Sequence, residues 1–218
     1  MNNIPTKEAL RLALEERHGA ELQKKFSEAS VAVCGLGGLG SNIAVSLARA
    51  GVGNLHIIDF DRVDITNVNR QQYFLDQIGQ FKTDALYENL MRINPYCNIK
   101  KSCIRLDSGN IPEITGDSQI ICEAFDKAES KAELANCVLE KMPDKFLVCG
   151  SGMAGIGTAN SIKTRRITRK FYICGDQSTD IADGQGLFSS RVAVCAAHQA
   201  HMILRIIAEE FEDNTAQK

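Results

Sequence analysis

The sequence predicts an α/β fold built on a mostly parallel sheet, and three observations support this class. Short apolar, β-branched runs alternate with helical patterns through about residue 150, which is typical of parallel βαβ units. A glycine-rich loop separates the first run from the helical pattern that follows it. After about residue 150, two strand patterns lead into one long apolar helical pattern. We therefore expect a Rossmann-like, doubly wound, mostly parallel sheet with added C-terminal strands and a long C-terminal helix.

Each predicted element has a local signal. Strands are predicted over residues 31–34, 55–58, 99–104, 119–122, 146–149, 161–166 and 170–174, and the central ones are short apolar runs. Helices are predicted over residues 6–18, 20–28, 41–50, 83–94, 127–141 and 190–210. The helix over 83–94 should end before Pro95, because the residue preceding a proline disfavours helical backbone angles. Residues 176–186 are rich in Gly, Asp, Ser and Gln, which predicts an exposed loop.

Length and composition predict one globular domain. The chain has 218 residues, of which 44% are hydrophobic and 24% charged, and these values exclude a disordered chain. A net charge of −2 argues against a protein that binds nucleic acid mainly by neutralising phosphates. The sequence has no apolar run of about 20 residues, so no membrane span is expected. The N-terminal segment mixes charges and lacks an apolar signal region, so a cytoplasmic location is expected.

Eight cysteines are the unusual feature of the composition. A chain of this length without a signal segment is not expected to carry a disulfide framework. The sequence contains no C-x-x-C pair, so we predict no structural zinc. Five of the eight lie in apolar runs, and packing in the core is the favoured interpretation for them. For the same reason, packing is favoured over metal binding for Cys195, His198 and His201 on the last helix.

The loop GLGGLGS has the pattern of a phosphate-binding turn between a strand and a helix. Gly35 permits the tight turn, Gly37 permits close approach of a ligand, and Gly40 permits close packing of helix on strand. Gly38 completes the loop. Asp59 ends the next predicted strand, at the spacing of a carboxylate that binds a ribose hydroxyl. The combination predicts a nucleotide-binding site.

The residues after this strand help to distinguish a triphosphate from a dinucleotide. Arg70 can bind phosphate oxygens through its forked guanidinium, and Lys82 can supply a point charge. A bound triphosphate needs its charge neutralised, whereas a nicotinamide pocket needs neither cation. Each cation taken alone is also consistent with a solvated surface charge. Together they favour a triphosphate over the cofactor of an NAD-dependent dehydrogenase.

Four motifs in order resemble those of the ThiF/MoeB/HesA adenylyltransferases, which are similar to the adenylation domain of ubiquitin-activating enzymes. The motifs are GLGGLGS, DFDRVDITNVNRQQ, the lysine of GQFKTDA and CEAFDKAE. The likeness spans about residues 17–210 and is strongest to short ThiF-type proteins. It implies a single ThiF-type adenylation domain over 1–218, with N-terminal helices (1–28), a nucleotide-binding core (29–150) and a carrier-binding and dimer region (151–218).

The resemblance implies ATP-dependent adenylation of the C-terminal glycine of a ubiquitin-like sulfur carrier protein. The carrier would be similar to ThiS, pyrophosphate would be released, and the pathway would be thiamine thiazole biosynthesis. ATP and Mg²⁺ are implied as cofactors, and a sulfur donor protein as a further partner. Matched by motif, Asp126 would bind magnesium, and capping of the helix that follows is an alternative role for it. The residues matched to nucleotide binding are Gly35, Gly37, Gly38, Gly40, Asp59, Asp61, Asn67, Arg70 and Lys82.

The resemblance also implies a homodimer. The family carries an N-terminal arginine that reaches the ATP of the partner subunit. Arg17 is the better match for this arginine, and Arg11 is the alternative. A monomer would then be poorly active.

Some relatives use a cysteine to pass sulfur to the carrier, and Cys174 is the best match for such a catalytic cysteine. It borders the predicted loop, and a thiolate there could be stabilised by Arg165, Arg166 and Arg169. A buried cysteine at the end of a strand is the alternative. The glycines of GSGMAGIG could give a glycine-rich carrier tail room and backbone donors, or they could form a flexible turn.

Three other functions are weighed against this one. A tRNA-modifying adenylyltransferase of the same family is the nearest. The slight acidity of the chain and its lack of a long basic stretch weigh against nucleic acid as a partner, although TRRITRK is a local basic patch. An NAD-dependent dehydrogenase is disfavoured by Arg70, Lys82 and Asp126. A non-catalytic subunit of a heterodimeric activator is disfavoured because all three of these residues stand in one chain.

Overall fold

The computed structural model describes residues 4–180, 182 and 184–210, and its centre is a seven-stranded sheet. The strands are β1 (Ser30–Cys34), β2 (Asn54–Ile58), β3 (Asn98–Ser102), β4 (Ile120–Glu123), β5 (Phe146–Gly150), β6 (Lys163–Arg166) and β7 (Phe171–Gly175). Their order in the sheet is β3-β2-β1-β4-β5-β7-β6. Every neighbouring pair is parallel except β6 and β7. The predicted mostly parallel sheet with added C-terminal strands is confirmed.

Seven α-helices connect and cover these strands within the described residues. They are α1 (Lys7–His18), α2 (Ala20–Glu28), α3 (Gly38–Ala50), α4 (Lys82–Ile93), α5 (Ile111–Thr115), α6 (Ala128–Lys141) and α7 (Ser189–Ile207). The prediction missed α5, because its five residues are too few to show a helical period. The predicted C-terminal helix is present but ends at Ile207 instead of residue 210.

Helices cover both faces of the sheet, as a doubly wound fold requires. Alternate residues of β1 point to opposite faces, so Val31 and Val33 enter one apolar cluster while Ala32 and Cys34 enter the other. The first cluster is completed by α3, α4 and α7, and the second by α5 and α6. The helices α3 and α7 pack closely against each other on the first face.

The direction of chain progress reverses beside β1. The chain moves from β1 through β2 to β3 on one side, and then continues through β4 and β5 on the other. Loops leaving the carboxyl ends of β1 and β4 diverge at this point and leave a crevice, which is where α/β sheets bind ligands. The fold therefore places the glycine loop and the segment after β4 at one crevice.

Parts of the predicted regions lie outside the described residues: 1–3, 181, 183 and 211–218. Within the described part of the chain, no helix is long and apolar enough to span a bilayer.

Candidate functional site

A cavity of about 790 Å³ opens at the carboxyl ends of the central strands. It is lined by the glycine loop after β1, the ends of β2 and β4, and the segments that follow β5 and β7. Among the predicted site residues, the cavity wall includes Gly35, Gly37, Gly38, Asp59, Asp61, Asn67, Arg70, Lys82 and Asp126. The fold thus brings together residues that are 91 positions apart in the sequence, from Gly35 to Asp126.

The glycine loop has the geometry that its spacing predicts. Gly35 has φ +91°, and a Cβ there would lie 2.8 Å from the carbonyl oxygen of Ala124. A Cβ on Gly40 would lie 1.8 Å from the carbonyl oxygen of Gly35, so only glycine lets α3 pack this closely. Gly37 differs, because the nearest atom to a Cβ there is the Gln71 Nε2 at 3.8 Å. The space beside Gly37 is open to the cavity.

The N-terminus of α3 faces this space. The helix begins at Gly38 after an N-cap glycine, with no side-chain cap. The first N–H groups of a helix have no partner within the helix, and the helix dipole makes this end positive. Such an end can bind an anionic group such as a phosphate.

Asp59 lies under the glycine loop and is 8% exposed. Its carboxylate accepts the N–H of Leu36 at 2.7 Å and the N–H of Asp61 at 2.8 Å. Burial raises the pKa of Asp59, while the nearby Lys82 opposes that rise. The two backbone bonds fix the carboxylate and leave it lone pairs for a hydroxyl donor.

Lys82 begins α4 and is 7% exposed, so its charge needs partners. Its Nζ lies 3.0 Å from a carboxylate oxygen of Asp61 and 3.9 Å from one of Asp59. The ammonium group is therefore held at the cavity wall by two carboxylates. It can act on an anionic ligand while they position it.

Arg70 and Asn67 come from the segment between β2 and α4. The Arg70 guanidinium donates to the carbonyl oxygen of Thr66 at 2.9 Å and to the side chain of Asn69 at 2.8 Å. Burial lowers the pKa of Arg70, and the negative charge of Asp126 opposes this. Asn67 accepts the N–H of Asp64 at 3.1 Å, which closes the short turn that carries Arg70.

Asp126 is exposed at the cavity wall, two residues after Ala124 of the β4 end. The alternative role as a helix cap is wrong, because Lys127 is the N-cap residue of α6 and no side chain caps that end. Within the described chain, no hydrogen bond or ion pair occupies the Asp126 carboxylate. Its free oxygens face the cavity beside Arg70.

A buried ion pair that sequence reasoning missed fixes the segment before Asp126. Glu123 is fully buried at the end of β4 and accepts Lys131 Nζ at 2.8 Å. The two side chains also hold Phe125: Glu123 accepts its N–H at 2.7 Å, and Lys131 donates to its carbonyl oxygen at 2.7 Å. The only sequence signal was an acid at the end of an apolar run with a lysine eight residues later.

Gln71 is a second missed residue. It is 7% exposed and lines the cavity beside Gly37. Its side-chain oxygen has no hydrogen-bond partner among the described residues. A buried amide normally has partners, so this side chain is available to a ligand.

The two candidate arginines of α1 differ in their surroundings. Arg11 is paired with Glu8 and Glu15 on the same helix. Arg17 is exposed and has no ion pair within the described chain, and it does not line the cavity. Of the two, Arg17 is the one free to reach a neighbouring molecule.

The structure does not support the sulfur-handling role for Cys174. The side chain is 0% exposed, because β6 and α7 cover the strand that carries it. Burial raises the pKa of Cys174 to about 11, with the Thr164 hydroxyl only partly offsetting this. Arg165 and Arg166 instead donate to backbone carbonyls. The thiol is therefore a neutral core group at neutral pH.

The other metal and sulfur candidates also have structural partners. Cys195 is buried and donates to the carbonyl oxygen of Cys174, and His198 lies 3.0 Å from the Thr164 hydroxyl. No cluster of three or more His, Cys, Asp or Glu side chains able to hold a metal occurs among the described residues. Of the eight cysteines, Cys103, which follows β3, is the exposed one.

Alkylation tests this assignment of the thiols. Native protein treated with iodoacetamide is expected to take up one label, at Cys103, because thiolate access controls the rate and the other seven cysteines are buried. Mass spectrometry of a tryptic digest locates the label, and denatured protein is the control for complete reaction. Fast labelling of Cys174 in the native protein would contradict its place in the core.

Comparisons with known proteins agree with the geometry. Molybdopterin-synthase adenylyltransferase of Salmonella typhimurium is 29% identical over 195 residues, which cover 86% of this chain and 76% of that protein. The tRNA threonylcarbamoyladenosine dehydratase of Escherichia coli is 35% identical over 142 residues, 63% of this chain and 52% of that protein. The chain spans between about a third and three quarters of the length of such curated relatives.

The fold is also that of a solved structure. The Escherichia coli dehydratase TcdA in complex with ATP superposes with a TM-score of 0.83 at 21% identity, covering 95% of this chain and 98% of that one. The model of the ThiF family matches residues 10–218, which is nearly the whole chain. The chain therefore belongs to the ThiF family.

Proposed function

We propose that this protein is an adenylyltransferase that uses Mg-ATP to adenylate the C-terminal glycine of a ubiquitin-like sulfur carrier protein. One observation carries the proposal. A single cavity is lined by a glycine loop, a carboxylate suited to a ribose hydroxyl, two cations suited to phosphates and an unpaired aspartate. In that order, the side chains are those of Asp59, Arg70, Lys82 and Asp126. These are the parts that activation of a carboxylate by a triphosphate requires. We further propose a ThiS-like carrier and a role in thiamine thiazole biosynthesis.

Different residues would bind different parts of the nucleotide. Asp59 would accept a ribose hydroxyl, since both its oxygens retain free lone pairs beside the cavity. The N-terminus of α3, Arg70 and Lys82 would hold the phosphates, and Asn67 would shape the turn below them. The unpaired side-chain oxygen of Gln71 would accept a hydrogen bond from an N–H or O–H donor of the ligand. Asp61 would keep Lys82 in place.

The chemistry brings together two anions, the acceptor carboxylate and the α-phosphate. The carboxylate oxygen attacks the α-phosphorus, a new P–O bond forms, and the bond to pyrophosphate breaks. Arg70 and Lys82 lower the repulsion between the reactants and stabilise the charge that develops. Asp126 suits Mg²⁺, because this ion binds through one or two carboxylates together with substrate phosphates. The bound metal would neutralise charge on the departing pyrophosphate.

The nature of the acceptor is supported by the relatives. The Salmonella protein, which the chain matches over 76% of its length, is named for molybdopterin synthase. The likeness to the E. coli tRNA dehydratase keeps a tRNA-modifying adenylyltransferase as the second candidate. Arg165 and Arg166 form a local basic patch, but the net charge of −2 argues against a polyanionic substrate. We therefore favour a protein acceptor.

Exchange of labelled pyrophosphate into ATP tests the proposal. The purified protein is assayed with a panel of small carrier proteins ending in Gly-Gly and, separately, with bulk tRNA. We expect exchange only with a carrier and only with Mg²⁺. Exchange that depends on tRNA would favour the second candidate. Tight binding of NAD without any exchange would instead favour an NAD-dependent dehydrogenase.

Sharing of sites in a homodimer is tested by complementation. Arg17→Ala and Lys82→Ala proteins are each expected to lose most activity. Co-expressed at equal amounts, they should recover roughly a quarter of wild-type activity, because half of random dimers are mixed and each has one intact site. An Arg11→Ala protein serves as the matched control, since Arg11 is already ion-paired within α1. Two inactive singles with no recovery on mixing would count against a shared site.

A further inference from the structure

One buried ion pair ties together two loops that line the cavity away from the glycine turn. The guanidinium of Arg191, in the first turn of α7, lies 2.5 Å from the carboxylate of Asp176, and the two side chains are 5% and 4% exposed. The same guanidinium donates to the carbonyl oxygens of Gly157 at 2.7 Å and Thr158 at 2.6 Å. It also donates to the Ser161 hydroxyl at 3.1 Å. Arg191 thus joins the segment after β5 to the segment after β7.

Asp176 organises the second segment from inside. Its carboxylate accepts the N–H groups of Ser178 and Thr179, each at 2.9 Å. It also accepts both of their hydroxyls, at 3.2 and 2.8 Å. Burial alone would raise the pKa of Asp176, but these donors together with Arg191 hold its pKa well below its usual range. The carboxylate is therefore charged at neutral pH and keeps all its partners.

The two segments are also joined directly. The N–H of Asp176 donates to the carbonyl oxygen of Gly152 at 3.0 Å, and the N–H of Gln177 donates to that of Ser151 at 3.0 Å. Gly152 has φ +78°, and a Cβ there would lie 2.2 Å from a carboxylate oxygen of Asp176. No side chain fits between the segments, so glycine is required at this contact.

Both segments face the cavity. The first contributes Ser151, Gly152, Met153 and Ala154 to its wall, and the second contributes Gln177, Ser178, Thr179 and Asp180. Asp59, Arg70 and Lys82 belong to another part of the wall, formed by the segment after β2 and the start of α4. The ion pair therefore shapes a part of the cavity that the nucleotide residues do not form.

We propose that the Arg191–Asp176 pair is a positioning device that holds residues 151–158 and 176–180 in the shape that receives the C-terminal tail of the acceptor. This inference rests on the proposed function. The first segment is GMAGIG flanked by Ser and Thr, so it offers backbone groups and small side chains to a ligand. That chemistry fits a neutral, glycine-rich tail, which can approach backbone closely. A buried ion pair adds little net stability over apolar packing, so its value here lies in fixing one geometry.

Steady-state kinetics of carrier-dependent pyrophosphate exchange test the proposal with Arg191→Met. We expect the KM for the carrier to rise on the order of tenfold, as the loss of one or two hydrogen-bonded contacts would produce. The KM for ATP should stay within about twofold, because the nucleotide residues are untouched. Arg191→Lys keeps the charge but not the forked guanidinium, so its KM for the carrier should lie between those of the wild type and Arg191→Met. Leu134→Ala is the control, since it weakens the core on the opposite face of the sheet and should leave the KM for the carrier unchanged.

The outcomes separate this inference from the proposed function. Absence of exchange in the wild-type protein would overturn the proposed function and this inference together. Exchange in the wild type with an unchanged carrier KM in Arg191→Met, or with equal rises in both KM values, would overturn this inference alone. If Arg191→Met does not fold, Asp176→Asn replaces it. That variant keeps the volume and an oxygen acceptor but loses the charge, and the same split in KM is expected.

Discussion

Replacement of Asp126 by asparagine is expected to lower kcat roughly 100- to 1,000-fold, because a metal-bound carboxylate contributes several kcal/mol of charge stabilisation. The side chain is exposed and has no partner within the described chain, so the thermal midpoint should not change. The affinity for ATP in the absence of Mg²⁺ should also be retained, since Arg70 and Lys82 remain. Pyrophosphate exchange over a range of Mg²⁺ concentrations measures the effect.

Glu129→Gln is the matched control for this variant. Glu129 is an exposed acid in the first turn of α6, three residues from Asp126, and it does not line the cavity. It tests whether loss of any negative charge near this helix end lowers kcat. A wild-type rate for Asp126→Asn at every Mg²⁺ concentration would remove Asp126 from the proposed metal site.

Two alanine substitutions in the glycine loop are expected to affect different properties, one the stability of the fold and the other the affinity for ATP. Gly40→Ala would place a methyl group 1.8 Å from the carbonyl oxygen of Gly35, a backbone atom that cannot rotate away. Overpacking of this kind costs about 3 kcal/mol, which lowers the thermal midpoint by roughly 6–12 °C in a chain of this size. Gly37→Ala meets only Gln71 Nε2 at 3.8 Å, so the protein should unfold at the wild-type temperature.

Gly37→Ala should lower the affinity for ATP instead. Its methyl group enters the open space beside the N-terminus of α3, where we propose that the phosphates lie. The dissociation constant for ATP should rise about tenfold or more, as one lost close contact produces. Thermal unfolding and calorimetric titration of both variants measure the two effects. Wild-type ATP affinity in Gly37→Ala would place the nucleotide elsewhere in the cavity.

Much of the fold was predictable because its signals are local. A buried parallel strand is a short apolar run, and the roles of Gly35 and Gly40 follow from their places in one turn. The motif residues could be placed together because the carboxyl ends of parallel strands share one edge. The short helix α5 left no signal, since five residues do not complete two helical turns.

The contacts that hold the site could not be predicted, because they depend on how elements pack. Arg191 stands at the start of an apolar helix, and nothing local shows that its partner is the buried Asp176. Lys131 lies on α6 and reaches back to Glu123 through the turn between them. The burial of Cys174 was hard to foresee for a related reason: it borders a loop in the sequence, but β6 and α7 cover it in space.

The mass of the carrier protein itself provides the most direct test of the central claim. The enzyme is incubated with Mg-ATP and a carrier ending in Gly-Gly, and the intact carrier is analysed by mass spectrometry while released pyrophosphate is counted. A carrier whose terminal carboxylate is converted to an amide serves as the matched control. We predict one AMP on the native carrier for each pyrophosphate released, and neither product with the amidated carrier. Pyrophosphate released without AMP on any carrier, or AMP on the amidated carrier, would contradict adenylation of a terminal carboxylate.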